Sequence, residues 1–87
     1  MPFKILEIHD TPNPNARKII LDQTIAECPI SFLSPDAGLG HPIASQLFSI
    51  KGVTSILMLG DFVTVNKGPG AKWGPLLKRV REILEEI

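Results

Sequence analysis

The chain has 87 residues, 44% of them apolar and 21% charged, the size and composition of one small globular domain spanning 1–87. Nine basic residues balance nine acidic ones, which speaks against the clustered positive excess of a nucleic-acid surface. No apolar run approaches the roughly 18 residues of a membrane span, the Met1-Pro2-Phe3-Lys4 start is unlike a signal peptide, and a single cysteine forms no internal disulfide, so a cytoplasmic protein is expected.

Phe3 to Ile8 is short, apolar and rich in β-formers, and reads as a strand. Thr11-Pro12-Asn13-Pro14-Asn15 then alternates proline with asparagine. Each proline fixes its own φ and pushes the preceding residue to extended backbone. Asn15 tolerates left-handed geometry and can turn the chain. This loop is either a plain hairpin connection or a stiff surface that presents side-chain amides to a partner at little entropic cost. Lys18 to Leu21 follows as the second strand, paired with the first.

Ile30 and Phe32 alternate with Ser31 after Pro29, which suggests a third short strand; Ser34 to Gly40 is a loop by composition. Pro42 fits a first helical position. Ile43, Leu47 and Ile50 share a face, with Ala44 and Phe48 beside them and Gly52 as the stop. Val53 to Leu59 and Phe62 to Asn66 read as strands joined by a two-residue Gly60-Asp61 turn. Lys67 to Gly74 is a loop, without the G-K-S/T of a phosphate loop. In the last helix Trp73, Leu76, Leu77, Val80, Ile83, Leu84 and Ile87 form one apolar stripe, while Lys78, Arg79, Arg81, Glu82, Glu85 and Glu86 form a solvated face. The order β-β-(β)-α-β-β-α predicts an α+β fold: a two-layer sandwich with a mainly antiparallel sheet of four to five strands and two helices on one face.

Thr11-Pro12-Asn13-Pro14-Asn15-Ala16-Arg17-Lys18 resembles the T-P-N-P-N-x-x-K opening of the N-terminal domain of the Nfu/NifU-type iron–sulfur scaffold proteins. Three further blocks resemble that family in the same order: Pro42-Ile43-Ala44 with Leu47 to Val53, Asp61 to Lys67, and Trp73. Gln23 to Gly40 matches least well. Scaffolds of this kind hold their cluster through a C-x-x-C motif in a separate C-terminal domain, which the 87 residues do not contain. A cluster needs about four thiolate or imidazole ligands, and Cys28 is the one thiol. The resemblance therefore implies a free-standing, non-enzymatic, monomeric accessory module of iron–sulfur cluster assembly. It would carry no cofactor on the isolated chain and would meet the cluster only through a partner protein of that pathway. Its expected partner-binding residues are Thr11, Asn13, Asn15 and Lys18, with Asp61 and Lys67 as a second surface.

Two alternatives keep chemistry on the chain. One is direct binding of iron, another metal or a cluster by a Cys28-bridged dimer. The other is a cysteine-dependent enzyme that pairs Cys28 with His9 or His41. Cys28, His9 and His41, with Asp10 and Asp61, are the candidate metal ligands, though no pair has zinc-like spacing. The plain readings are a small semi-buried residue for Cys28, a surface histidine for His9, and core before contact for Trp73.

Overall fold

The computed structural model describes residues 3–86 and, within them, every side chain but that of Pro35. Ile87 of the predicted stripe lies outside the described residues. Five strands, β1 (Ile5–Asp10), β2 (Ala16–Leu21), β3 (Ala26–Phe32), β4 (Val53–Gly60) and β5 (Phe62–Lys67), accompany two helices, α1 (Pro42–Phe48) and α2 (Trp73–Glu86). The strands form one antiparallel sheet in the order β1-β2-β5-β4-β3. The fold is α+β, as the element order predicted.

Period-2 alternation decides what each face of the sheet carries. Ile19 and Leu21 of β2, Ile56 and Met58 of β4, and Val63 and Val65 of β5 point to the helix layer and are fully buried. Leu47 of α1 and Val80 and Leu84 of α2 meet them there. Burial of each such side chain stabilises by about 1.5–3 kcal/mol, which a domain this small needs, because its margin over chain entropy is thin. The opposite register positions, Lys18, Ile20, Leu57, Leu59, Phe62 and Thr64, are half-buried and carry no helix above them.

The predicted Gly60-Asp61 turn forms as expected, with Leu59 opposite Phe62. Gly60 has φ +59° while Asp61 keeps a negative φ, which matches a type II′ hairpin with glycine at its first corner. The turn's carbonyls take up the next connection: Leu21 N–H donates to Asp61 at 2.7 Å and Ile25 N–H to Gly60 at 2.7 Å.

Element boundaries depart from expectation for identifiable reasons. The first strand starts at Ile5, because Phe3 N–H instead donates to the Leu84 carbonyl of α2 at 2.8 Å, and Lys4 exchanges bonds with Asp22. It continues to Asp10 because β2 begins at Ala16, extending the ladder to Asp10 opposite Arg17. The third strand reaches back to Ala26, but Glu27-Cys28-Pro29 bulges out of register between Ala26 and Ile30. This is an edge strand, where a bulge and a proline block further pairing. Cys28 is consequently exposed rather than semi-buried. A 3-10 turn (Pro35–Gly38) forms within the expected loop, with Ala37 N–H donating to Ser34 at 3.1 Å. Gly52 stops the α1 connection with φ +104°, and a Cβ there would lie 2.6 Å from the Ala71 Cβ.

His41 caps α1. Its Nδ1 accepts from Ile43 N–H and Ala44 N–H, each at 3.2 Å, so the ring proton sits on Nε2. The ring also packs edge-on against Phe32, with centroids 5.3 Å apart. His41→Ala should cost about 0.5–2 kcal/mol, while His41→Asn, which restores an oxygen cap, should recover most of it. Urea denaturation of the three proteins checks this; equal midpoints for wild type and His41→Ala would show that the cap contributes nothing.

Candidate functional site

The proline–asparagine loop closes as a four-residue turn from Asn13 to Ala16. Ala16 N–H donates to the Asn13 carbonyl at 3.0 Å. Pro14 takes the first corner, where its fixed φ suits the turn. Asn15 keeps a negative φ, so the turn is type I and does not use the left-handed geometry expected of Asn15.

Side chains lock this turn from both ends. The Asn13 Oδ1 accepts from Asn15 N–H at 2.9 Å. The Thr11 hydroxyl accepts from Asn13 N–H at 3.1 Å and lies 2.9 Å from the Asn13 carbonyl and 3.1 Å from that of Ala16. Lys67, at the end of β5, reaches the loop twice: its N–H donates to the Asn15 carbonyl at 2.8 Å and its Nζ to the Asn15 Oδ1 at 3.1 Å. In both asparagines a donor fixes which amide atom is oxygen, so the amide NH2 groups face away from these contacts. Neither NH2 has a hydrogen-bond acceptor among the described residues.

Trp73 fastens the loop to α2. Its indole N–H donates to the Pro14 carbonyl at 3.0 Å. Arg17 lies 5.1 Å from the ring centroid and Lys67 5.7 Å, each within cation–π range. Arg17 Nη1 pairs with Asp10 Oδ1 at 3.0 Å, and the Lys67 ammonium donates to the neutral Asn15 amide oxygen. Trp73 is half-buried and packs on the rim of the core. It is therefore a linchpin between loop and helix rather than a residue of the fully buried core.

Six residues singled out in the sequence behave differently in space. Thr11, Asn13, Asn15 and Lys67 converge at one end of the sheet. Lys18 lies on the open face with its Nζ 4.3 Å from the Phe62 ring centroid, because alternation sends it opposite to Arg17. Asp61, exposed at the other end of β5, is about 20 Å from Lys67 by strand rise. Arg17 belongs to the cluster and was not singled out; its place two residues before Ile19, on the same face of the strand, was the available signal.

The candidate metal ligands stay apart. His9 is on β1 and Cys28 on β3, the two opposite edges of the sheet, separated by about 19 Å of strand spacing. His9 Nε2 is 3.3 Å from Glu7 Oε2, and the Nδ1 of His41 is engaged in its cap. Among the described residues no three His, Cys, Asp or Glu come together as a metal site. Neither histidine lies beside Cys28 to form a nucleophilic pair. No described helix is long and apolar enough to cross a membrane.

An antiparallel sheet with two helices on one face, closed at one end by a T-P-N-P-N turn locked to a lysine and a tryptophan, defines the class of domain. Comparison with known proteins gives its family. The family described as "Scaffold protein Nfu/NifU N terminal" matches residues 6–87, and the chain belongs to it. A NifU-like protein of Schizosaccharomyces pombe is 38% identical over 82 residues, covering 88% of this chain and 31% of that protein. The human protein named "NFU1 iron-sulfur cluster scaffold homolog, mitochondrial" is 39% identical over 66 residues, covering 75% of this chain and 26% of that protein. The chain thus spans less than a third of the length of these relatives. Among solved structures, the crystal structure of protein SAV1430 from Staphylococcus aureus superposes with a TM-score of 0.81 at 30% identity, covering 94% of this chain and 99% of that one. A NifU-like protein of Saccharomyces cerevisiae also gives 0.81, at 28% identity, covering 98% of this chain and 77% of that one.

Trp73→Phe keeps the ring but leaves the Pro14 carbonyl to water, and should cost about 0.5–1.5 kcal/mol. Trp73→Ala also removes the packing and both cation–π contacts, and should cost about 2–3 kcal/mol, less than a fully buried tryptophan would. Thermal melts should therefore fall in the order wild type, Phe, Ala, at about 4–8 °C per kcal/mol for a domain of this size. An unchanged melting temperature for Trp73→Ala would remove the linchpin role.

Proposed function

We propose that the chain is a non-enzymatic accessory module of iron–sulfur cluster assembly or delivery, acting by docking a protein partner that supplies the cluster ligands. The observation that carries this reading is the locked Thr11–Asn15 loop. The Thr11 hydroxyl, both asparagine side-chain oxygens and the Asn13, Pro14 and Asn15 carbonyls are held internally, while the Asn13 and Asn15 amide NH2 groups have no acceptor among the described residues. Donors already held in place lose little entropy on binding. A relative named as an iron–sulfur scaffold homolog supports the pathway, and the single thiol supports delegation of the cluster to the partner. The module works as a monomer in the cytoplasm and needs no nucleic acid or membrane.

One observation favours a second reading. Cys28 is exposed on an edge-strand bulge, open to a second copy and thus to iron or cluster binding by a Cys28-bridged dimer. Anaerobic reconstitution with iron and sulfide separates the two. The docking reading expects no stable cluster after desalting; a stoichiometric cluster lost in Cys28→Ser would replace it with the second reading.

Asn13→Asp tests the docking surface directly. The substituted carboxylate keeps the oxygen that accepts from Asn15 N–H but removes the outward NH2 donor. Melting should change little, while capture of cluster-carrying proteins from lysate, identified by mass spectrometry, should fall by about tenfold, the effect of about 1–2 kcal/mol. Identical capture by both proteins would mean that the loop is only a turn.

A further inference from the structure

A separate concavity of about 880 Å³ opens on the helix layer, between the end of α1 and the start of α2. Its floor is apolar, from Ile50, Ala71 and Leu76. Its charged residues are Lys51, Lys72 and Arg79, and no carboxylate lines it. These cations come from the Ile50–Gly52 connection (Lys51), the residue just before α2 (Lys72) and the first half of α2 (Arg79). Lys51 and Lys72 make no ion pair among the described residues; Arg79 gives one nitrogen to Glu82 and keeps its other donors. The α2 end of the groove adds to the same field. The first turn of α2 holds no acidic residue, and Lys72 stands at the cap position, its carbonyl accepting from Leu76 N–H at 3.4 Å. An uncompensated helix N-terminus favours negative charge.

We propose that this groove binds a short acidic–hydrophobic peptide segment of a partner protein. Charge complementarity selects an anion, and the apolar floor selects one that carries aliphatic side chains. Spacing selects a peptide over a small anion. Lys72 and Arg79 are seven positions apart, about 10 Å along a helix axis. A single carboxylate or phosphate spans far less than this. Two carboxylates three residues apart on a polyproline-II segment match it, because that conformation repeats every three residues at about 3.1 Å each and sets both on one side. Apolar residues flanking the two carboxylates would then reach Leu76 and Ile50. The groove is distinct from the Thr11–Asn15 loop, so the two surfaces can succeed or fail separately.

The probe is an end-blocked synthetic peptide with two glutamates three residues apart and leucines between and beside them. It is titrated into the isotopically labelled 87-residue chain and followed by amide chemical shifts. Shifts should concentrate at Ser49 to Gly52 and Gly68 to Lys72, and should weaken steeply as salt is raised. The same peptide with glutamine in place of glutamate should bind at least about tenfold more weakly. Lys72→Glu should also lose about tenfold, and this variant is informative because an acidic residue at a helix start favours the fold. Retained melting with lost binding therefore excludes unfolding as the cause. Equal binding of the glutamate and glutamine peptides overturns the proposal, as does mapping of the shifts to the open sheet face or the Thr11–Asn15 loop. Reproduction of the same shifts by acetate or inorganic phosphate at comparable affinity also overturns it, in favour of a small-anion site.

Discussion

The bond from the Trp73 indole to the Pro14 carbonyl joins residues 59 positions apart and sets the geometry at the Thr11–Asn15 end of the domain. It fixes where α2 begins relative to the β1–β2 connection. With α2 placed, Leu76, Val80 and Leu84 fall on the inner sheet face, and the loop cannot swing away from β5. Lys67 reinforces the same junction from the neighbouring strand. A loop of this composition would otherwise be a polar excursion with only its own turn to hold it. Tied to a strand and a helix, it becomes a fixed edge of the scaffold, and binding residues on fixed loops are a common way for small folds to carry function.

The two faces of the sheet divide the remaining labour. The inner face is almost wholly aliphatic, and no polar residue is buried among the described ones. Such a core supplies stability and little chemistry. Polar specificity is displaced to the ends: the T-P-N-P-N turn at one, the Gly60-Asp61 turn at the other, and the cation-lined groove where the helices approach each other. The edges are protected unequally. β3 bulges at Glu27-Cys28-Pro29, which discourages strand addition, and β1 carries its own bulge between Ile5 and Glu7. Both devices are of the kind that discourages edge-to-edge strand pairing.

The sequence made the α+β fold readable because its strongest signals are local. The three- and four-residue repeat of α2, the Gly60-Asp61 turn and Pro42 at a helix start each act within a few residues. The T-P-N-P-N opening and the three later blocks carried the family resemblance together. What stayed hidden depends on distant partners. Nothing near Pro14 announces an indole donor from Trp73, and nothing near Asn15 announces Lys67. His41 read as a possible ligand because a histidine cap has no sequence signature as clear as serine or aspartate. Cys28 read as semi-buried because a free cysteine usually behaves as a small buried hydrophobe, whereas a register shift on an edge strand turns it outward. Lys18 and Arg17 could not be ranked until the register showed which of them faces α2.

The central claim is that the Thr11–Asn15 loop is held as rigidly as the strands it joins. Backbone nitrogen relaxation of the full chain tests this most directly. The account predicts order parameters near 0.85 from Thr11 through Ala16, the range of rigid backbone, in wild-type protein. Values below about 0.6 in that segment, with rigid values in β2 and β5, would contradict it, and would show a flexible connector rather than a preformed recognition surface.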